Sequence, residues 1–177
     1  MIMKVILFMA MTPNGMIAKS DGSEDFLSDR NWKEFRRLAE SAGCFVVGRK
    51  TYEIVHSTYK DYNFDDVKAE RIVVSGDEKF LPAPGFTKAS SPKDAVRKAA
   101  AKGRKKLLLT GGSRLNSSFM HEGFVDEMIF NIEPAVIGKG INVFAEKDFY
   151  RRLALKKIRK IPKGLVQIHY KIMEGKK

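Results

Sequence analysis

Residues that build cross-linked or metal-bound sites are scarce in this chain. Its 177 residues include one cysteine, Cys44, so no internal disulfide can form. Cys44 lies within Gly43-Cys44-Phe45-Val46-Val47-Gly48, where a buried strand thiol is expected rather than a nucleophile. The three histidines, His56, His121 and His169, are far apart and lack metal-ligand spacing, so no metal site is expected. No apolar run approaches the roughly 18 residues of a membrane span. The opening MIMKVILFMAM is followed by Thr12-Pro13-Asn14-Gly15 and not by a small-residue cleavage pattern. It reads as a first buried strand, which implies a cytoplasmic protein without a membrane partner. Acidic residues are also in deficit, 21 against 33 basic, giving a net charge of +12. Such a surplus attracts nucleic acid, anionic membranes or phosphorylated ligands. Lys and Arg cluster modestly over 93–106 and 150–165, and neither stretch is rich in aromatics. Solvated faces are the expectation, with no nucleic-acid partner.

An apolar share of 44% and a charged share of 31% suit a globular chain, and the length suits a single domain over 1–177. Lys4 to Ala10 is continuously apolar, as a strand covered on both faces would be. Residues 11–27 read as a polar loop. A helix is expected from near Ser28, with Trp32, Phe35, Leu38, Ala39 and Ala42 on one face and Gly43 at its end. A strand Cys44–Val47, a helix from Thr51, a strand Arg71–Ser75 and a loop at Pro82, Pro84 and Gly85 follow. Ser91 reads as a helix cap with Pro92 at the first helical position and Gly103 closing the helix. The strand Lys106–Leu109 leads into Gly111-Gly112 and a helix carrying Leu115 and Phe119. Strands alone follow, over 127–137, 151–161 and 164–173, the last two joined by a turn at 162–164. The order is β-loop-α-β-α-β-β-α-β-α, then β-β-β. It predicts a three-layer α/β fold, a mostly parallel central sheet with antiparallel C-terminal strands.

Ligands of such sheets bind at the carboxyl ends of the strands. Three segments there carry suitable chemistry: Gly48-Arg49-Lys50-Thr51, Ser75-Gly76, and Gly111-Gly112-Ser113-Arg114. Glycine admits a ligand to the backbone, and free N–H groups at a helix start favour anions. Two such turns and a serine, each after an apolar strand, point to a long phosphorylated ligand such as a dinucleotide. The G-x-G-x-x-G fingerprint is absent.

FLSDRNWKEFRRLAESAGCFVVGRKTYE, RIVVS and LLLTGGSRLNSSFMHEGFVDEMIFNIEPAVIGKG resemble the dihydrofolate reductase superfamily, from the first strand to about residue 144. This group comprises dihydrofolate reductases and the riboflavin-pathway pyrimidine reductases. The resemblance implies a dihydrofolate-reductase-like fold and NADPH as hydride donor. Gly48, Arg49, Lys50 and Thr51 match residues that hold the cofactor's phosphates. Ser75 matches a position beside the adenosine 2′-phosphate, Gly111, Gly112, Ser113, Arg114 and Leu115 match the pyrophosphate cradle, and Ala10, Ile17 and Ala18 match positions beside the nicotinamide. Phe26, Asn31, Phe35 and Thr51 match positions at the substrate.

GRKTYE is like the dihydrofolate reductases, and the Asp-Asp-Pro segment of the pyrimidine reductases is missing. GGSRLNSSFMHEGFVDEMIFNIEPAVIGKG and the paired terminal strands are more like the pyrimidine reductases. The resemblance implies reduction of 7,8-dihydrofolate first, with a ribosylaminopyrimidine phosphate or a non-catalytic nucleotide-binding relative as alternatives. Asn31 stands where an acid normally contacts the pterin, and an amide cannot give up a proton as a carboxylic acid can. Asn31 and Asp29 are therefore the catalytic candidates, with Asp25, Glu24 or water as other proton sources. The arginine that binds a folate glutamate tail falls near Ala69, leaving Lys68 and Arg71 as neighbouring substitutes. The β-rich C-terminal part is compatible with a homodimer, as in the pyrimidine-reductase branch, or with 141–150 capping one subunit.

Overall fold

Alternate residues of the same short strands feed two separate cores, because successive strand side chains point to opposite faces. The computed structural model describes residues 3–58, 62–162 and 164–173. In chain order the elements are β1 (Lys4–Met11), β2 (Met16–Lys19), α1 (Asp29–Ala42), β3 (Cys44–Gly48), α2 (Arg49–Thr58), β4 (Glu70–Val74), β5 (Phe86–Ala89), α3 (Pro92–Ala101), β6 (Lys106–Leu109), α4 (Ser113–His121), β7 (Val125–Ile132), β8 (Gly140–Asn142), β9 (Leu153–Ile161) and β10 (Leu165–Ile172). Eight strands form one sheet in the order β5-β4-β3-β6-β1-β7-β10-β9. Pairing is parallel from β5 to β7 and antiparallel for β10 against β7 and β9. The expected α/β architecture is borne out.

Cys44 and Val46 of β3, with Leu107 and Leu109 of β6, pack against Ala95 and Ala99 of α3 and Leu115 and Phe119 of α4. Phe45, Val47 and Leu108 pack on the other face against Phe35 and Ala39 of α1 and Tyr52 of α2. Cys44 is buried, as expected, and burial pushes its thiol up to about 12. Helix ends follow local chemistry. The Ser91 hydroxyl accepts from the Asp94 amide ahead of Pro92. Gly43 ends α1 in the left-handed region, with its amide donating to Ala39 and Glu40.

Several expectations shift. Residues 11–27 are not all loop: β2 pairs antiparallel with β8, tethering this segment to 140–142. The second of the two consecutive strands before α3 is β5, which follows directly on Pro84 and Gly85 and pairs with β4. Helix α2 begins at Arg49, two residues before Thr51. Strand β7 stops at Ile132 because Pro134, lacking an N–H, cannot extend the ladder. The turn expected at 162–164 includes Lys163, outside the described residues. Among the described residues, no helix is long and apolar enough to cross a membrane. None of their His, Cys, Asp and Glu side chains gather in threes as a metal site would require.

The C-terminal strands are fastened by a buried carboxylate. Glu127 of β7 receives Lys156 from β9 at 2.7 Å, Lys4 from β1 at 2.9 Å and His169 from β10 at 2.9 Å. Burial works to raise its pKa, but the three hydrogen bonds outweigh this and hold it at about 2. Its stabilisation is present above the ordinary carboxylate range and is lost as pH falls towards about 2. We expect Glu127→Gln to cost about 1–2 kcal/mol at neutral pH. In urea titrations the gap from the parent protein should close as the solution is acidified.

Candidate functional site

The carboxyl ends of β3 and β6 are pinned together by backbone. The Gly48 amide donates to the Gly111 carbonyl at 2.7 Å, and the Thr110 amide donates to Val46 at 3.0 Å. Gly111 has φ of 84° and is followed by a cis peptide to Gly112. A Cβ on Gly111 would lie 3.0 Å from the Met9 sulfur, and one on Gly112 would lie 2.9 Å from the Thr51 hydroxyl. Gly111 favours glycine through its left-handed φ, and a methyl at Gly112 would have to displace the Thr51 side chain. Gly112 caps α4 with no side chain of its own, leaving first-turn amides open to an incoming anion.

These turns floor a cleft of about 830 Å3. Its walls include Gly48, Arg49, Lys50 and Thr51 at the start of α2, Ser75 and Gly76 after β4, and Gly112, Ser113, Arg114 and Leu115 at the start of α4. Ile17 and Ala18 of β2 close the near end. The structure thus brings together the residues expected to hold a dinucleotide, apart from Gly111, which lies behind the wall, and Ala10, which lines the neighbouring cavity. Ser90 and Ser91 ahead of α3, and Asn142 and Glu146 after β7, also line the cleft. Sequence reasoning missed them because they reach it through β5 and β8, which carry weak signals. Three cations, Arg49, Lys50 and Arg114, face two carboxylates, Glu24 and Glu146. Arg49 is held by Glu53 at 2.6 Å and Asp77 at 2.5 Å, with its guanidinium 4.9 Å from the centre of the Phe80 ring. Cations, hydroxyls and two helix starts make a donor set that fits a phosphorylated dinucleotide.

A second cavity, of about 150 Å3, opens beside the first. Ile17, Glu24, Thr51 and Gly112 line both. Its walls are Phe8, Met9 and Ala10 of β1, Trp32 and Phe35 of α1, Val55 of α2, and Tyr62 and Phe64. Trp32 lies 5.1 Å from Phe35, 5.2 Å from Tyr62 and 5.9 Å from Phe64, ring centre to ring centre. Such a slot suits a flat ring.

Asn31 lines this cavity, and a buried polar chain fixes its amide. Its nitrogen donates to Glu133, and its oxygen accepts from Asn131 at 2.7 Å. Asn131 accepts from Gln167 at 2.8 Å, and Gln167 also donates to Glu34. The Arg37 hydrogen bond, opposed by burial, dominates at Glu34; with Gln167 and Arg159 it holds this carboxyl at about 2. Glu133 is 3% exposed and also accepts from the Ser28 amide and hydroxyl. An aspartate at position 31 would set a second buried carboxylate against Glu133, so the amide is the group that fits here.

Two expected site residues lie elsewhere. Asp29 is exposed and accepts from the Tyr62 hydroxyl at 2.6 Å. Two positions from Asn31, it is turned about 200° around α1. Phe26 is outside the cavity wall too, because the Leu27 amide donates to the Glu24 carbonyl. Glu24 and Leu27, at the two ends of that turn, line the cavity, while Phe26 does not and Asp25 is exposed. Glu24 has no signal in the sequence beyond being one of several acids in a loop. Arg71, a sequence-level substitute for a tail-binding arginine, is committed to Asp65 at 2.7 Å and to the Phe64 carbonyl.

The model of the RibD C-terminal domain family matches residues 3–167. The uncharacterized protein YwjB of Bacillus subtilis (strain 168) is 30% identical over 173 residues, covering 94% of this chain and 97% of that protein. Two solved structures share the fold. A pyrimidine reductase-like protein from Corynebacterium diphtheriae superposes with a TM-score of 0.78 at 16% identity, covering 97% of this chain and 92% of the other. Dihydrofolate reductase from Enterococcus faecalis, complexed with NADP(H) and RAB-propyl, gives 0.73 at 15% identity, covering 97% of each. Sheet order, paired glycine turns and matched span agree: the chain belongs to the RibD C-terminal domain family.

Proposed function

We propose that the protein is an NADPH-dependent reductase acting on a flat nitrogen heterocycle, with the pterin ring of 7,8-dihydrofolate as first choice. The carrying observation is the continuity of a cation-lined cleft with an aromatic-walled cavity through Ile17, Glu24, Thr51 and Gly112. Arg49, Lys50, Arg114, Ser75, Ser113 and the first amides of α2 and α4 would hold the phosphates. Arg49 beside Ser75 favours the nucleotide with the additional phosphate. The bound dinucleotide would supply hydride, and the protein's part is to align the acceptor carbon, exclude water and provide a proton. Trp32 and Phe35 would stack on the ring, while Asn31, held rigid by Glu133 and Asn131, would hydrogen-bond its edge.

The cavity wall contains no Lys, Arg or His among the described residues. The uncharged ring of a pterin fits such a wall. Family membership favours a second reading, reduction of a ribosylaminopyrimidine phosphate. Oxidation of NADPH in the presence of dihydrofolate, a tail-less dihydropterin and the aminopyrimidine phosphate separates them. Turnover of the phosphorylated compound alone would reverse the order. Uptake of NADPH without turnover of any would indicate a nucleotide-binding relative.

We also propose a homodimer through the outer strand. Pairing of Leu155 with Tyr170, Ile158 with Ile168 and Leu153 with Ile172 puts these apolar side chains on one face. Leu155 is 56% and Ile158 57% exposed, a combination that marks an interaction surface.

Three outcomes are expected. Gly112→Ala should weaken NADPH binding about tenfold or more, since the new methyl displaces Thr51 from the shared wall; equilibrium titration reads this. Asn31→Asp should lower stability by about 1–3 kcal/mol at neutral pH without raising turnover, because it sets a second buried carboxylate against Glu133; urea titration with parallel assays checks both. Light scattering should find a dimer that Leu155→Lys with Ile158→Glu converts to monomer.

A further inference from the structure

We propose that Glu24 is the group that gives the proton to the substrate as it is reduced, acting from the seam between ring cavity and dinucleotide cleft. This inference rests on the reductase reading. Among the described residues, Glu24 is the only carboxylate common to both walls. A backbone turn, in which the Leu27 amide donates to the Glu24 carbonyl, holds this residue at the wall. Three other acids nearby are engaged. Asp25 pairs with Lys19 at 2.7 Å, Asp29 receives Tyr62, and Glu133 receives Ser28 and Asn31 behind the wall. Among the described residues, no hydrogen bond or ion pair claims the Glu24 side chain.

The titratable groups facing Glu24 are few. Tyr62 shares the cavity, and Arg49, Lys50, Arg114 and Glu146 share the cleft. Burial pushes the Glu24 carboxyl up to about 7. A general acid works best when its pKa lies near the working pH. Asn31, the amide on the same cavity wall, cannot titrate.

A reduced nicotinamide dinucleotide gives two electrons and a hydrogen as hydride to the carbon of a C=N bond. The π pair moves to nitrogen, a new N–H bond forms, and the O–H bond of Glu24 breaks. Glu24 is left as a carboxylate, and solvent entering through the cleft restores its proton.

Full-length Glu24→Gln, Glu24→Asp and, as a surface control, Asp25→Asn test this. NADPH uptake is followed by the emission of Trp32, the only tryptophan, and turnover is measured with 7,8-dihydrofolate and 7,8-dihydropterin over about pH 5–9. Glu24→Gln should bind NADPH within about twofold of the parent, lose about 100-fold or more in turnover, and lose the decline in rate above about pH 7. Glu24→Asp should restore part of the rate, and Asp25→Asn should match the parent. A readout independent of activity is thermal stability. A carboxyl with a raised folded pKa destabilises the fold as pH rises from its ordinary value of 4.5 to about 7. The melting temperature of Glu24→Gln should therefore gain on the parent across that interval. Parent-like turnover by Glu24→Gln with the same pH profile, or a flat stability difference, overturns the assignment and leaves the reductase reading standing. Failure of the parent protein to take up NADPH overturns both.

Discussion

The site depends on one backbone contact, the 2.7 Å hydrogen bond from the Gly48 amide to the Gly111 carbonyl. Parallel strands end on the same side of a sheet, so neighbouring β3 and β6 bring their exit turns together. Glycine suits the junction, because Gly111 takes a left-handed φ and the Met9 and Thr51 side chains already lie against Gly111 and Gly112. The helices that leave these turns, α2 and α4, consequently present their amino ends to one cleft. Cations at Arg49, Lys50 and Arg114 reinforce what the backbone begins.

A second constraint is electrostatic and lies on the opposite wall. Glu133 is buried at the end of β7 and collects donors from Ser28 and Asn31. Once that carboxylate is in place, position 31 cannot hold another without one of the two taking up a proton. The amide at 31 follows from Glu133, and the chain through Asn131 and Gln167 to Glu34 locks its orientation. Among the described residues, the carboxyl on the cavity wall that no hydrogen bond or ion pair claims comes from the loop, at Glu24. In the proposed reductase, binding, positioning and proton supply would be divided among three elements: Asn31 on a rigid helix, Glu133 at a strand end, and Glu24 on a loop tied down by β2 and β8.

Apolar runs, capping residues and glycine stops determined the helices and central strands before any tertiary contact. Ser91 with Pro92, Gly43 after α1, and the continuous runs at 44–47 and 106–109 carry their signals locally. The cation-lined wall of the cleft was legible for the same reason, since its residues immediately follow such strands. What the chain could not announce was pairing across long separations. β2 with β8, and β5 behind two prolines, are short and acquire strand geometry from their partners. Phe26 and Asp29 sit close in sequence to Asn31, yet a turn and 200° of helix carry them away. Asn131, Glu133 and Gln167 lie 100 or more positions from Asn31, so only the folded sheet could set that network. Local periodicity and steric rules act within a few residues, and they decided the elements and the turns. Burial and charge pairing act through space, and only they decided which acid faces the ring.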